Sequence, residues 1–157
     1  MSIDAKPEAR PVRATSPAAV ARLRRGSLAV LVLLVLEYGI GMYVNLYVSV
    51  PKADSGAGLG SAISNGPATL SVHAVLGLLL GLGSLGVLAQ SILIRHWVIV
   101  ALSAVGLFAM IFASVSGASF TSTGNNAESM AMSVMTGVAL LCYAANLYVL
   151  RAGSRPG

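Results

Sequence analysis

Charge is what this sequence most lacks. Of its 157 residues only 10% are Asp, Glu, Lys or Arg, against 56% hydrophobic. A soluble domain is about a quarter charged, so a water-exposed globule is excluded, and the high hydrophobicity excludes disorder over most of the chain. Aromatic residues are sparse, and none interleave with a basic stretch. The net charge of +5 and pI near 9.9 therefore do not indicate nucleic acid as a partner. A single cysteine, Cys142, leaves no intrachain disulfide, no CxxC redox pair and no cysteine zinc site. HExxH, GxSxG and an intramembrane Asp are absent as well, which weighs against hydrolase chemistry and against an enzyme in general.

What the chain does have is four long apolar runs, at Ser27–Val50, Thr69–Ile94, Trp97–Phe120 and Ser129–Leu150. Each is about 20 residues or longer, enough at about 1.5 Å per residue to cross the hydrocarbon core of a bilayer as a helix. The expected fold is all-α, an antiparallel four-helix bundle in a membrane. The first run follows a basic segment, as a secretory signal would, but it is too long for one and lacks a small-residue cleavage site, so it reads as a retained anchor. Residues 1–26, with Pro7, Pro11 and Pro17 among six Lys and Arg, read as a disordered tail, although Ala18–Arg25 can extend the first helix as a basic collar. A Gly/Ser/Pro-rich loop, Pro51–Pro67, precedes the second run, which Thr69 or Ser71 is placed to cap. Arg95-His96 is a tight reversal, and Thr121–Asn126 a short turn.

Orientation follows from the basic residues. Six lie in the N-terminal tail, one at Arg95 and two after the last run, nine in all on one side, against Lys52 alone on the other. The positive-inside rule then puts both termini in the cytoplasm of a cell-membrane protein. Trp97, Tyr43, Tyr47 and Tyr148 fall near the ends of runs, where amphipathic rings anchor at the headgroups. Close helix approach is expected at Gly39 and Gly41, at Gly77, Gly81 and Ser84, at Ala109, Ala113 and Gly117, and at Gly137, Ala144 and Ala145, because small residues are what bring helices together in lipid. The same faces can also support a homo-oligomer or a place in a larger membrane complex.

Glu37 is the sharpest functional signal, the only charged residue inside a run. A carboxylate in mid-span costs about 2.5 kcal/mol or more on insertion scales, so it should face the bundle interior and be either protonated or partnered. It is a candidate proton- or cation-binding group, or alternatively polar glue between helices. Glu37, Gly41 and Asn45 share a face at four-residue spacing, with Tyr38 beside it. If helix ends are level, Glu37 lies about 20 Å below the outer end, Asn45 about 7 Å and His73 about 6 Å. On that reckoning Asn45 can meet His73 and Glu37 cannot. Ser114 and Ser116 share the outer level with Met130, Met132 and Ser133. Together Glu37, Tyr38, Asn45, His73 and Ser116 form a candidate ligand or proton site, a polar vestibule facing outward with a buried acid at its floor. No catalytic residue and no metal site are expected. A haem or copper site would have to combine His73 with Met42, Met130, Met132 or Met135, and His96 is too far along the same helix line to pair with His73 on one haem.

Tyr43-Val44-Asn45-Leu46-Tyr47-Val48, His73, Gly117-Ala118-Ser119-Phe120 and Ser129-Met130-Ala131-Met132 resemble small four-span bacterial membrane proteins of no assigned activity, which implies an envelope protein. The chain also resembles, more loosely, one half of haem A synthase, a four-helix unit with an acid on its first span and histidines opening its second and fourth. Glu37 and His73 take comparable places here. The fourth run opens with Glu128, Ser129 and Met130, so the second haem-ligand histidine is missing.

The reading that follows is a non-enzymatic accessory protein, or a binder of a small ligand or lipid between its helices. Alternatives are a proton- or cation-coupled transporter component using Glu37, and a haem or copper redox protein.

Overall fold

The computed structural model describes residues 16–47, 60, 64 and 67–152. Residues 1–15, residues 48–50 at the end of the first run, most of the Pro51–Pro67 loop with Lys52, and residues 153–157 lie outside the described residues, as do the expectations that fall on them. Among the described residues there are four long helices and no strand: α1 Pro17–Tyr47, α2 Ala68–Ile94, α3 Trp97–Thr123 and α4 Asn126–Ala152. All four are long and apolar enough to cross a membrane.

The helix ends follow local chemistry. Pro17 opens α1, where its missing N–H would be unpaired in any case, and the Ser16 carbonyl accepts the first backbone bonds from Ala19 and Val20. The helix thus begins well before Ser27. Residues 17–26 are not tail, because Leu23 is fully buried in the core. α2 begins after Pro67 with no side-chain cap, so Thr69 and Ser71 lie within its first turn and not at its boundary. The reversal between α2 and α3 takes two residues. Arg95 adopts the left-handed conformation, φ 59° and ψ 28°, and its N–H reaches the carbonyls of Ser91 and Ile92. Gly124, at φ 66°, ends α3 in the same way, and the Asn125 side chain accepts the Ala127 N–H at 3.0 Å to start α4. That turn is shorter than expected, and α4 starts three residues before Ser129, placing Glu128 in its first turn at the positive end of the helix dipole.

Each helix packs against its neighbours in sequence, and α4 closes the ring against α1, with α3 and α4 sharing the most extensive interface. We call the end where α1 stops and α2 starts the upper end, and the end with the Arg95-His96 reversal the lower end. The core runs along the bundle axis through Leu23, Val30 and Leu34, Leu80 and Val87, Ile99 and Met110, and Ala139, Tyr143 and Leu150. Polar residues are also inside: Ser27, Glu37, Ser84, Ser91, Ser103, Ser116 and Asn146 are all buried. Leu36, Leu78, Leu82, Phe108, Ile111 and Leu141 face outward. This is the distribution suited to a hydrocarbon solvent, where apolar side chains gain nothing by turning inward and polar ones do. Tyr43 and Tyr47 at the upper end and Trp97 and Tyr148 at the lower are exposed, as interfacial anchors should be.

Only some of the small residues mark close approach. A Cβ on Gly106 would come within 2.9 Å of the Tyr143 ring, one on Gly117 within 3.1 Å of the Met132 sulfur, and one on Gly41 within 3.0 Å of the His73 ring. Gly39, Gly81 and Gly137 meet nothing within 4 Å and Ala144 is exposed, so those expected contacts are not made.

Candidate functional site

The upper half of the bundle brings Glu37 and His73 together. His73 Nδ1 lies 2.9 Å from Glu37 Oε1, contrary to the depth reckoning that kept them apart. The reckoning assumed level helix ends. In the structure Glu37 stands opposite His73 and Gly77, one helical turn of α2, and Gly77 is needed there because a Cβ would come to 3.3 Å from Glu37 Oε1. Gly41, one turn above Glu37 on α1, gives the imidazole room by the same means. Two glycines on facing helices therefore make the slot in which the acid and the base meet.

Glu37 is buried and His73 half-buried. Among the described residues neither His73 Nδ1 nor Glu37 Oε2 has an aligned hydrogen bond, and both atoms are sealed from solvent. The close approach is thus a charge or proton contact and not a directed ring N–H bond. No Lys or Arg lies in the middle of a described helix to neutralise the acid. The pair can hold one proton between its members, as imidazolium beside carboxylate or as carboxylic acid beside neutral imidazole, and in both forms it is neutral overall.

A cavity of about 300 Å³ adjoins the pair and is lined by all four helices. Its walls are mostly apolar, with Leu34 and Val44 from α1, Leu70 and Leu80 from α2, Met110, Ala113 and Phe120 from α3, and Met132 from α4. Glu37, His73, Asn45, Ser114, Thr121 and Thr136 supply its polar groups. A recess of about 40 Å³ shares Glu37, His73 and Thr136 with this cavity and is also lined by Tyr38, Met42 and Ser133.

The expected site residues separate accordingly. Glu37, Asn45 and His73 line both spaces, and Tyr38 lines the recess. Asn45 is exposed and its carbonyl accepts from Ser129 at 3.1 Å, a bridge from α1 to α4; its anticipated partner had been His73. Ser116 is buried and lines neither space. Two residues apart on a helix is about 200° of rotation, so only one of Ser114 and Ser116 can face the cavity, and it is Ser114. Ser114 in turn donates to its own helix, at the Met110 carbonyl. Gly77, expected as a close-approach residue four residues beyond His73 and so on its face, lines the cavity, and Thr136, which is not among the expected site residues, lines both spaces.

A second set of polar residues lies in the lower half, and of these the small-residue pattern marks only Ser84. Ser91 and Ser103 hydroxyls lie 3.1 Å apart, and the Asn146 amide donates to Ser103 at 2.9 Å, joining α2, α3 and α4. Ser84 donates to the Met110 sulfur at 3.0 Å, with the Tyr143 hydroxyl beside it. The signal was available, since Ser84 and Ser91 are seven residues apart on one face of a run read as apolar, and Asn146 is the only amide in the lower part of the fourth run.

Among the described residues no three His, Cys, Asp or Glu converge on a metal position. Of the methionines that a haem or copper site would combine with His73, Met42 and Met132 line the same recess as His73, whereas Met130 at the head of α4 is exposed and Met135 lines neither space; His73 Nδ1 faces Glu37. Compared with known proteins, the chain matches no family model, no curated protein and no solved structure.

Proposed function

We propose that this is a multi-pass cell-membrane protein, with both termini cytoplasmic, that binds a small and largely apolar molecule in the upper half of its bundle without transforming it. The observation that carries the reading is the cavity of about 300 Å³, walled mostly by hydrocarbon on four helices, with Glu37 and His73 its ionisable groups. Binding sites for small molecules have this make-up, apolar walls with a few placed polar groups. The surrounding lipid is the protein's first partner, and the cavity faces the non-cytoplasmic side by the positive-inside count.

A photoreactive octanol carrying a diazirine, applied to the protein in lipid nanodiscs and mapped by peptide mass spectrometry, tests the reading. Labelling is expected at Leu80, Ala113 and Gly117, and it should disappear in Ala113→Phe, which fills the space. Labelling confined to lipid-facing residues such as Leu82 and Phe108 would overturn it. A cysteine at Lys52 that reacts with an impermeant maleimide only from inside the cell would overturn the orientation.

A second reading, as a proton- or cation-coupled transporter component, is favoured by one observation, the buried Glu37 carboxyl with one unpartnered oxygen and no interior Lys or Arg. Ionisable side chains inside a membrane commonly mark ion or proton pathways.

A further inference from the structure

We infer that the ligand of the upper cavity is an alkylammonium ion, a protonated amine on a compact apolar body, and that it enters in exchange for the proton held by the Glu37–His73 pair. The inference rests on the cavity-binding reading above and names the ligand's chemistry.

The argument starts from net charge. The groups that face the pair are few. From α1 and α2 come Glu37 and His73 themselves and the Asn45 amide, with Tyr38 in the recess; α3 contributes the Ser114 and Thr121 hydroxyls; α4 contributes Met132, Ser133 and Thr136. None of these besides the pair is charged, and Glu128, at the head of α4, lines neither space. Inside hydrocarbon a net charge is strongly disfavoured, and the pair carrying one proton is the neutral form. A carboxylate ligand would add a negative charge with nothing to meet it. A neutral ligand leaves the proton where it is. An ammonium ion can take the proton's place, leaving carboxylate, neutral imidazole and ligand cation, again neutral in sum, with one proton passing to water.

The donor and acceptor inventory selects the same head group. Glu37 Oε2 is an acceptor with no partner, in a residue more than nine-tenths buried at 7% exposure. An ammonium has N–H donors and no acceptor of its own, so it meets the Glu37 carboxylate that lines the cavity without bringing in an acceptor that would be left unpaired. The rest of the ligand meets Leu34, Leu80, Ala113 and Phe120, walls that reward hydrocarbon.

Three probes with one shape and three heads test this: 1-adamantylammonium, 1-adamantanol and 1-adamantanecarboxylate, titrated calorimetrically into the full-length protein in nanodiscs, in two buffers of different ionisation enthalpy. The ammonium is expected to bind roughly tenfold or more tightly than the alcohol, and to release about one proton per ligand, while the carboxylate fails to bind. In Glu37→Gln the preference for ammonium and the proton release should both vanish, with the alcohol still bound. The comparison of heads on the unaltered protein needs no variant, so a folding failure of Glu37→Gln does not remove the test. Alcohol binding as tight as ammonium binding, or ammonium binding without proton release, would overturn the inference and leave the cavity-binding reading standing. Binding by none of the three would remove both.

Discussion

In the lower half of the bundle Ser91, Ser103 and Asn146 bond one another across three helices, whereas in the upper half Glu37 and His73 approach within 2.9 Å beside open space. The lower groups are neutral hydroxyls and an amide, set among well-packed Ile99, Val87, Leu150 and Tyr143. Their satisfaction is not complete, since Asn146 Oδ1, Ser27 Oγ and the Tyr143 hydroxyl lack an aligned bond among the described residues. They are nevertheless the kind of interhelical polar contact that holds spans together. The upper groups are ionisable, and two glycines make room for them next to a cavity. Burying a neutral polar group in a tight interface serves cohesion. An ionisable pair beside a space is what the proposed ligand would use, whereas cohesion alone is obtained with less penalty from a serine.

The same substitution, glycine to alanine, sharpens the comparison. In Gly106→Ala the new methyl meets Tyr143 Cε2 at 2.9 Å and Cys142 Cβ at 3.3 Å, and the tyrosine is fully buried with nowhere to move. A loss of about 1–3 kcal/mol is expected from overpacking, measured by reversible unfolding in mixed micelles. A loss under about half a kcal/mol would show the lower half to be as yielding as the upper. Next in size, Asn146→Leu removes the amide that ties α4 to Ser103, and should cost about 0.6 kcal/mol, at most about 1.7, in the same assay. Gly41→Ala brings a methyl to 3.0 Å from the edge of a half-buried imidazole that can swing into the cavity, so its stability cost should be about half a kcal/mol or less. The change should instead appear as a shifted His73 ring resonance, reporting separation from Glu37. Smallest of all, Glu37→Gln should leave unfolding stability within about half a kcal/mol, since it removes a charge whose burial is costly along with the contact it makes. A large destabilisation there would make the pair a structural staple, and the two halves would then differ in degree only.

Much of the architecture was legible in the residues. Long uncharged runs separated by Gly, Pro and Asn allow only helices, because backbone N–H and C=O groups in hydrocarbon must be paired within the segment. Glu37 on a face with Gly41 and Asn45 was legible too, since helical spacing places side chains on a face without reference to any other helix. What was misjudged depended on how two helices slide against each other. Level helix ends would leave Glu37 and His73 about 14 Å apart in depth, between two and three turns, and nothing along either run states the offset that closes that gap. Asn45 finds Ser129 for the same reason. Gly39 and Gly81 looked as suited to close packing as Gly41 and Gly77, yet only the latter two face a partner. Ser91 and Ser103 were passed over because an isolated hydroxyl in an apolar run looks neutral until another helix supplies its complement.

By itself the sequence determined the solvent, the number of crossings and the presence of one ionisable group that has to be sheltered, because all three depend on composition and spacing along a single strand of chain. Only the tertiary structure decided that the shelter is His73, that two glycines make its slot, and that a cavity opens next to it, because these depend on the relative register of helices joined by a long loop. In lipid that register is set by steric fit between side chains on separate helices, and no property of either helix alone encodes it.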